Sequence, residues 1–219
     1  MRRKERYACI MDHFRKEMPH VTTELEFGSV FQLLVATMLS AQCTDKRINL
    51  VTPALFARYP DAAAMAEADA EDIFEYIRSV SYPNAKSKHL AGMARMLVSE
   101  FNGEVPEAMA DLVKLPGVGR KTANLMLGDV FHVPGVVVAD THCIRITGLL
   151  GLTDGSKDPT KVEMQLRKVL PPEESNDFCH RLVLHGRAVC IARRPQCGEC
   201  VLRPWCDYFT KNVAEPVKD

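Results

Sequence analysis

The chain reads as all-α, on three observations. Apolar residues recur at helical spacing, as in Phe31, Leu34, Val35, Met38 and Leu39, which fall at i, i+3, i+4, i+7 and i+8. No stretch alternates with period two, and the one β-branched run, Val136-Val137-Val138, is too short to make a sheet. Helix punctuation recurs throughout, with caps at Thr44, Asp140 and Asp158-Pro159 and stops at Pro19 and Asn102-Gly103.

In chain order, Tyr7 to Met18 is a short amphipathic helix ended by Pro19. The Phe31–Leu39 face comes next. Thr44 then caps a helix from Asp45 towards Phe56 that turns Ile48, Val51 and Leu55 inward and contains Pro53, a kink candidate. Ala70 to Ser79 is helical. Ser81-Tyr82-Pro83-Asn84 is a turn, in which Pro sets φ and Asn tolerates the left-handed region. Lys86 to Phe101 is a helix, and Glu107 to Lys114 is a short one. The glycine-containing turn Leu115-Pro116-Gly117-Val118-Gly119 opens a helix to about Phe131, and His132-Val133-Pro134-Gly135 breaks the pattern and marks a boundary. Further helices cover Thr141–Leu150, the segment from Asp158-Pro159 onward, and about Ser175–Ala192.

Of 219 residues, 47% are hydrophobic, ample for a packed core. Lys plus Arg equals Asp plus Glu at 28 each, so net charge argues for no polyanionic partner. Any such partner must be met by local basic clusters, such as Arg2, Arg3, Lys4 and Arg6. No secretory signal is visible, and no apolar run approaches the roughly 18 residues of a membrane span. A soluble, intracellular protein is expected, in which eight cysteines need a role other than disulfides.

Four of them are clustered. Cys190, Cys197, Cys200 and Cys206 have six, two and five residues between them. Two thiolates two residues apart reach one metal centre from a single turn. This spacing predicts a metal site without choosing between zinc and an iron–sulfur cluster; either would staple a segment too short to bury its own core. Cys9, Cys43, Cys143 and Cys179 are scattered and suit small buried hydrophobes.

The turn at Gly117 and Gly119 leads directly into a helix. A helix N-terminus with free amides, approached past glycines, binds anions well, and phosphate suits it. Lys121 adds an amine there; the plainer reading is a tight turn with a solvated lysine. Nineteen residues on stands Asp140, by itself a good N-cap for the helix at Thr141. A lysine and a carboxylate facing one cleft would suit Schiff-base chemistry at a sugar anomeric carbon. The amine attacks when neutral, a state favoured by desolvation or a cation such as Arg120, and the carboxylate stabilises oxocarbenium character.

Leu115 to Ala123, Val138-Ala139-Asp140-Thr141-His142, the Met38–Asp45 segment and the cysteine tail together resemble the endonuclease III family, over about Phe27 to Phe209. The resemblance implies a helix–hairpin–helix DNA glycosylase fold: a six-helix barrel over 22–133 that holds the hairpin at about 107–131, and a cluster domain formed by 1–21 with 134–219. It implies a bifunctional DNA glycosylase and AP lyase of base excision repair, acting as a monomer in the bacterial cytoplasm on double-stranded DNA with damaged pyrimidines or abasic sites. Lys121 would be the Schiff-base nucleophile and Asp140 its partner. Cys190, Cys197, Cys200 and Cys206 would ligate a 4Fe–4S cluster. Gln42 would fill the gap left by the flipped base; Gly117 and Gly119 would offer amides to a phosphate, with Arg120 and His142 also on the DNA side.

One departure is local. Where the family has glycine, a large aliphatic and Tyr-Asn, this chain has Ser81-Tyr82-Pro83-Asn84, so Tyr82 stands where an aliphatic would wedge. The spacer between Lys121 and Asp140 is also one residue longer. Adenine glycosylases of the same fold carry a glutamate in the early helix and lack the lysine. Here Leu34 to Leu39 contains no acid and Lys121 is present. A purely DNA-binding role would not call for both Lys121 and Asp140.

Overall fold

The computed structural model describes residues 1–212. They form helices and irregular connections, with no β-strand among the described residues. The chain divides into two compact units. One runs from Thr23 to His132; the other joins Met1–Thr22 to the chain from Val133 onward.

In the Thr23–His132 unit, α2 (Val30–Ser40) is apolar nearly all round and is buried from Leu33 to Leu39, which makes it a core helix. Ser29 starts it by accepting from the Gln32 amide. Thr44 caps α3 (Asp45–Arg58) in the same way, and Pro53 lies within that helix. A one-turn helix that periodicity does not reveal, α4 (Ala62–Ala66), is capped by Asp61. Next come α5 (Ala70–Ile77) and α6 (Pro83–Phe101), which packs against both α4 and α5. The Glu107–Lys114 expectation shrinks to a single turn, α7 (Met109–Leu112), and α8 (Arg120–Asp129) packs on α7 and α2. Leu34, Leu39, Ile48, Leu55, Ile73, Ile77, Leu90 and Leu97 are fully buried. Each such side chain contributes about 1.5–3 kcal/mol of apolar burial.

In the other unit, α1 (Arg3–Glu17) buries Tyr7, Ile10, Met11 and Phe14, one helical stripe. Tyr7 and Phe14 meet Phe178 of α11 (Ser175–Ala188), with ring centroids 5.3 and 6.3 Å apart. Buried Arg181 of α11 donates to the carbonyls of Met18 and Pro19 at 3.0 and 3.3 Å and so closes the end of α1. Between them run α9 (Thr141–Leu150) and α10 (Pro159–Leu166); α12 (Asp207–Asn212) comes after the cysteine segment. Val136, Val137 and Val138 are buried and lie in a stretch with no regular secondary structure.

Candidate active site and metal centre

The glycine turn is held from beneath. Leu115 and Val118 are buried, and the Val118 amide donates to the Leu115 carbonyl at 3.0 Å. Gly117 has φ of +79°, and a Cβ there would lie 2.8 Å from Cβ of His89. Glycine is therefore required by backbone and by packing. Gly119 differs: its φ is −92°, and a Cβ there would meet nothing within 4 Å. A side chain there would point into open space. Gly119 is the N-cap of α8 and supplies no side-chain cap. Arg120 and Lys121, the first two residues of α8, are exposed on that side of the turn.

Two further loops of this unit carry strained backbone. Gln42 has φ of +56° and Tyr82 φ of +55°, both left-handed and both non-glycine. Such residues cost about 1–3 kcal/mol and persist where their surroundings over-determine them. The sequence places the left-handed residue at Asn84; the structure places it at Tyr82, because Pro83 takes the first position of α6 and Asn84 is already helical. Gln42 is exposed and Tyr82 is 64% exposed. The Ser81 hydroxyl donates to the Gln42 carbonyl at 2.6 Å, which joins the two loops. Buried Lys86 donates to the carbonyls of Leu39 and Ala41 at 2.6 and 2.7 Å, and burial pulls its amine below the usual lysine range. Sequence reading passes over Lys86, since a lysine in an amphipathic helix ordinarily faces solvent.

In the other unit Asp140 caps α9. Its Oδ1 accepts from the Cys143 amide at 2.7 Å, and its Oδ2 lies 3.1 Å from Nδ1 of His142. The carboxylate is thus fixed at both oxygens while its side chain stays 14% exposed. The His142 ring packs on Gly186 of α11, where a Cβ would sit 2.6 Å from Cδ2. A glycine inside a helix is the signal that was available for this contact.

The four clustered cysteines border one pocket with His185, Arg203 and Phe209. Burial pushes the Cys190, Cys200 and Cys206 thiols up, so binding a metal must supply the charge that lets them ionise. Arg145 of α9 donates to the Cys190 carbonyl at 2.6 Å and reaches its Sγ at 3.5 Å; Arg203 donates to the Gly198 carbonyl. Among the described residues no three Cys, His, Asp or Glu side chains converge tightly enough to enclose a single ion. Four thiols bordering one pocket are the donor set an iron–sulfur cluster uses.

Residues 35–172 match the HhH-GPD superfamily of base excision DNA repair proteins, and residues 190–206 match the iron–sulfur binding domain of endonuclease III. The endonuclease III of Synechocystis sp. is 47% identical over 204 residues, covering 93% of each chain. That of Escherichia coli K12 is 43% identical over 202 residues, covering 92% of this chain and 95% of the relative. A solved structure of a trapped endonuclease III–DNA covalent intermediate superposes with a TM-score of 0.90 at 36% identity, covering 96% of this chain and 99% of that one.

Proposed function

Because this chain belongs to the endonuclease III family, DNA N-glycosylases and AP lyases of base excision repair that carry a 4Fe–4S cluster, we propose that it removes oxidised pyrimidines from duplex DNA and cleaves the resulting abasic site through Lys121. The observation that carries this reading is the exposed amine of Lys121 on the first turn of α8, directly past Gly119, whose missing side chain leaves the approach open.

In this reading the amides of the Gly117–Gly119 turn and Arg120 hold a DNA phosphate and set the register. The damaged nucleotide leaves the stack, and Gln42 occupies the gap, with Tyr82 on the second loop beside it. The Lys121 amine attacks the anomeric carbon, and the base departs with the electrons of the glycosidic bond. Asp140, held rigid by the Cys143 amide and His142, stabilises positive charge on the sugar ring. Ring opening leaves a Schiff base on Lys121. Loss of the 2′ proton then drives out the 3′ phosphate by β-elimination, and hydrolysis frees the lysine.

Cys190, Cys197, Cys200 and Cys206 would hold the cluster in this proposal, and it would cross-link a loop that buries little apolar surface of its own. The protein works as a monomer in the cytoplasm, on the bacterial nucleoid. No helix among the described residues is long and apolar enough to cross a membrane.

The test is borohydride trapping on an oligonucleotide with one thymine glycol. The intact protein is expected to form a covalent adduct that Lys121→Ala abolishes. If the intact protein traps on neither oxidised pyrimidines nor abasic sites, the lyase reading is wrong.

A further inference from the structure

We propose that Lys86 is a positioning residue which, with Ser81, fixes the main chain on both sides of Gln42 and so presents its side chain to the DNA. This rests on the proposed function, in which Gln42 occupies the gap left by an extruded base.

Lys86 is 8% exposed, and its amine donates to two main-chain carbonyls, those of Leu39 and Ala41. Burying an ammonium without a carboxylate is costly and requires compensation. The carbonyls it meets lie at the end of α2, where the last acceptors of a helix lack intrahelical donors and the helix dipole favours a cation. A simple cap would satisfy those acceptors and leave the next residue free to relax. Here the next residue is not relaxed. The chain turns at Gln42 into the left-handed region, which a side chain with a Cβ enters only under constraint.

That constraint acts from both sides. The carbonyl before Gln42, that of Ala41, is held by Lys86; the carbonyl of Gln42 itself is held by Ser81; and the Cys43 amide donates to the Ser40 carbonyl at 3.0 Å. The peptide planes flanking Gln42 are therefore pinned, and its side chain is directed by backbone that cannot relax. Both pins come from one stretch, Ser81 to Lys86, which also contains left-handed Tyr82. The main chain on both sides of Gln42 is thus set by one hydrogen-bonded unit, and loss of either pin frees it.

The test compares Lys86→Met, which keeps the stem and loses the donor, with the intact protein. Two reactions are read: single-turnover release of thymine glycol from a duplex, and borohydride trapping on a single-stranded abasic oligonucleotide, where no gap in a stack needs filling. Lys86→Met is expected to slow duplex release about tenfold, as misplacement of an orienting group does, while single-strand trapping stays within about twofold. In a Gln42→Ala background Lys86→Met should add nothing, because its effect passes through Gln42. Equal loss in both reactions, full additivity with Gln42→Ala, or unchanged duplex release would each overturn the proposal. If Lys86→Met does not fold, Ser81→Ala carries the same comparison, with an expected duplex loss of about threefold for one neutral hydrogen bond. Absence of any adduct with the intact protein overturns the proposed function and this inference together. An active protein indifferent to both substitutions overturns this inference alone.

Discussion

Nδ1 of His142 stands 3.1 Å from Oδ2 of Asp140, and the ring occupies space that exists because Gly186 has no side chain. The orientation of the proposed catalytic carboxylate therefore depends on a residue in another helix, α11. Gly186→Ala would put a Cβ 2.6 Å from Cδ2 of His142 and 2.9 Å from Cδ1 of Ile146. Both are ends of side chains, so the ring is expected to move rather than the helix. We expect base release to fall about tenfold from a misdirected carboxylate, with a stability loss of about 1–3 kcal/mol from overpacking. His142→Ala alone should lose activity too, and Gly186→Ala should cost no further activity in that background. Single-turnover rates with thermal unfolding of the four proteins decide it. Additive losses in the double variant would refute the link.

The two glycines of the hairpin turn separate a folding role from a binding role. Gly117→Ala meets a left-handed φ and the His89 side chain, so it should destabilise by about 1–3 kcal/mol. Gly119→Ala meets nothing inside the protein and has an ordinary φ, so its stability should change by less than about 0.5 kcal/mol. Its added methyl stands where a phosphate would approach. Fluorescence anisotropy on abasic-analogue duplex should show weaker binding by Gly119→Ala, with an unfolding midpoint close to that of the parent. Unchanged binding would place the DNA backbone elsewhere.

How far the sequence reveals the fold and the site depends on the range of the interactions. Helices α2, α6, α9 and α11 are legible because their signals are local: a 3.6-residue stripe and a cap such as Asp140. The short α4 is hidden because Ala62-Ala63-Ala64 has no stripe, and only Asp61 marks its start. That Cys190, Cys197, Cys200 and Cys206 come together at one pocket is legible because chelating spacing is a sequence property. Lys86 and Gly186 are not, because their meaning lies with carbonyls and a ring far along the chain. Arg145 is equally silent: the guanidinium on Cys190 comes from α9, 45 residues earlier in the chain. Tyr82 shows the limit of turn chemistry. Asn84 is the better left-handed residue intrinsically, but the helix begins at Pro83 and leaves the strain one position earlier.

The junction of α1 with α11 should show an acid-sensitive stability. Glu174 accepts from the Tyr7 hydroxyl at 2.5 Å and from Nε of Arg15 at 3.1 Å. Burial alone would push its carboxyl up, but the hydrogen bonds from Tyr7 and Arg15 outweigh that and hold it below the usual glutamate range. A carboxyl depressed in the folded state releases its proton more readily there than in the unfolded chain. Its contribution is therefore complete above the ordinary glutamate value of about 4.3 and is lost as pH falls through the folded value. Glu174→Gln keeps the shape but removes the charge, so it should cost about 1–3 kcal/mol at pH 7, in line with charge-assisted hydrogen bonds to a half-buried group. As pH falls from there through the lowered folded value, the two proteins should converge as the parent carboxyl protonates. Denaturant unfolding across pH 3 to 7 measures the difference. A gap that stays constant with pH would mean that the charge of Glu174 contributes nothing to the junction.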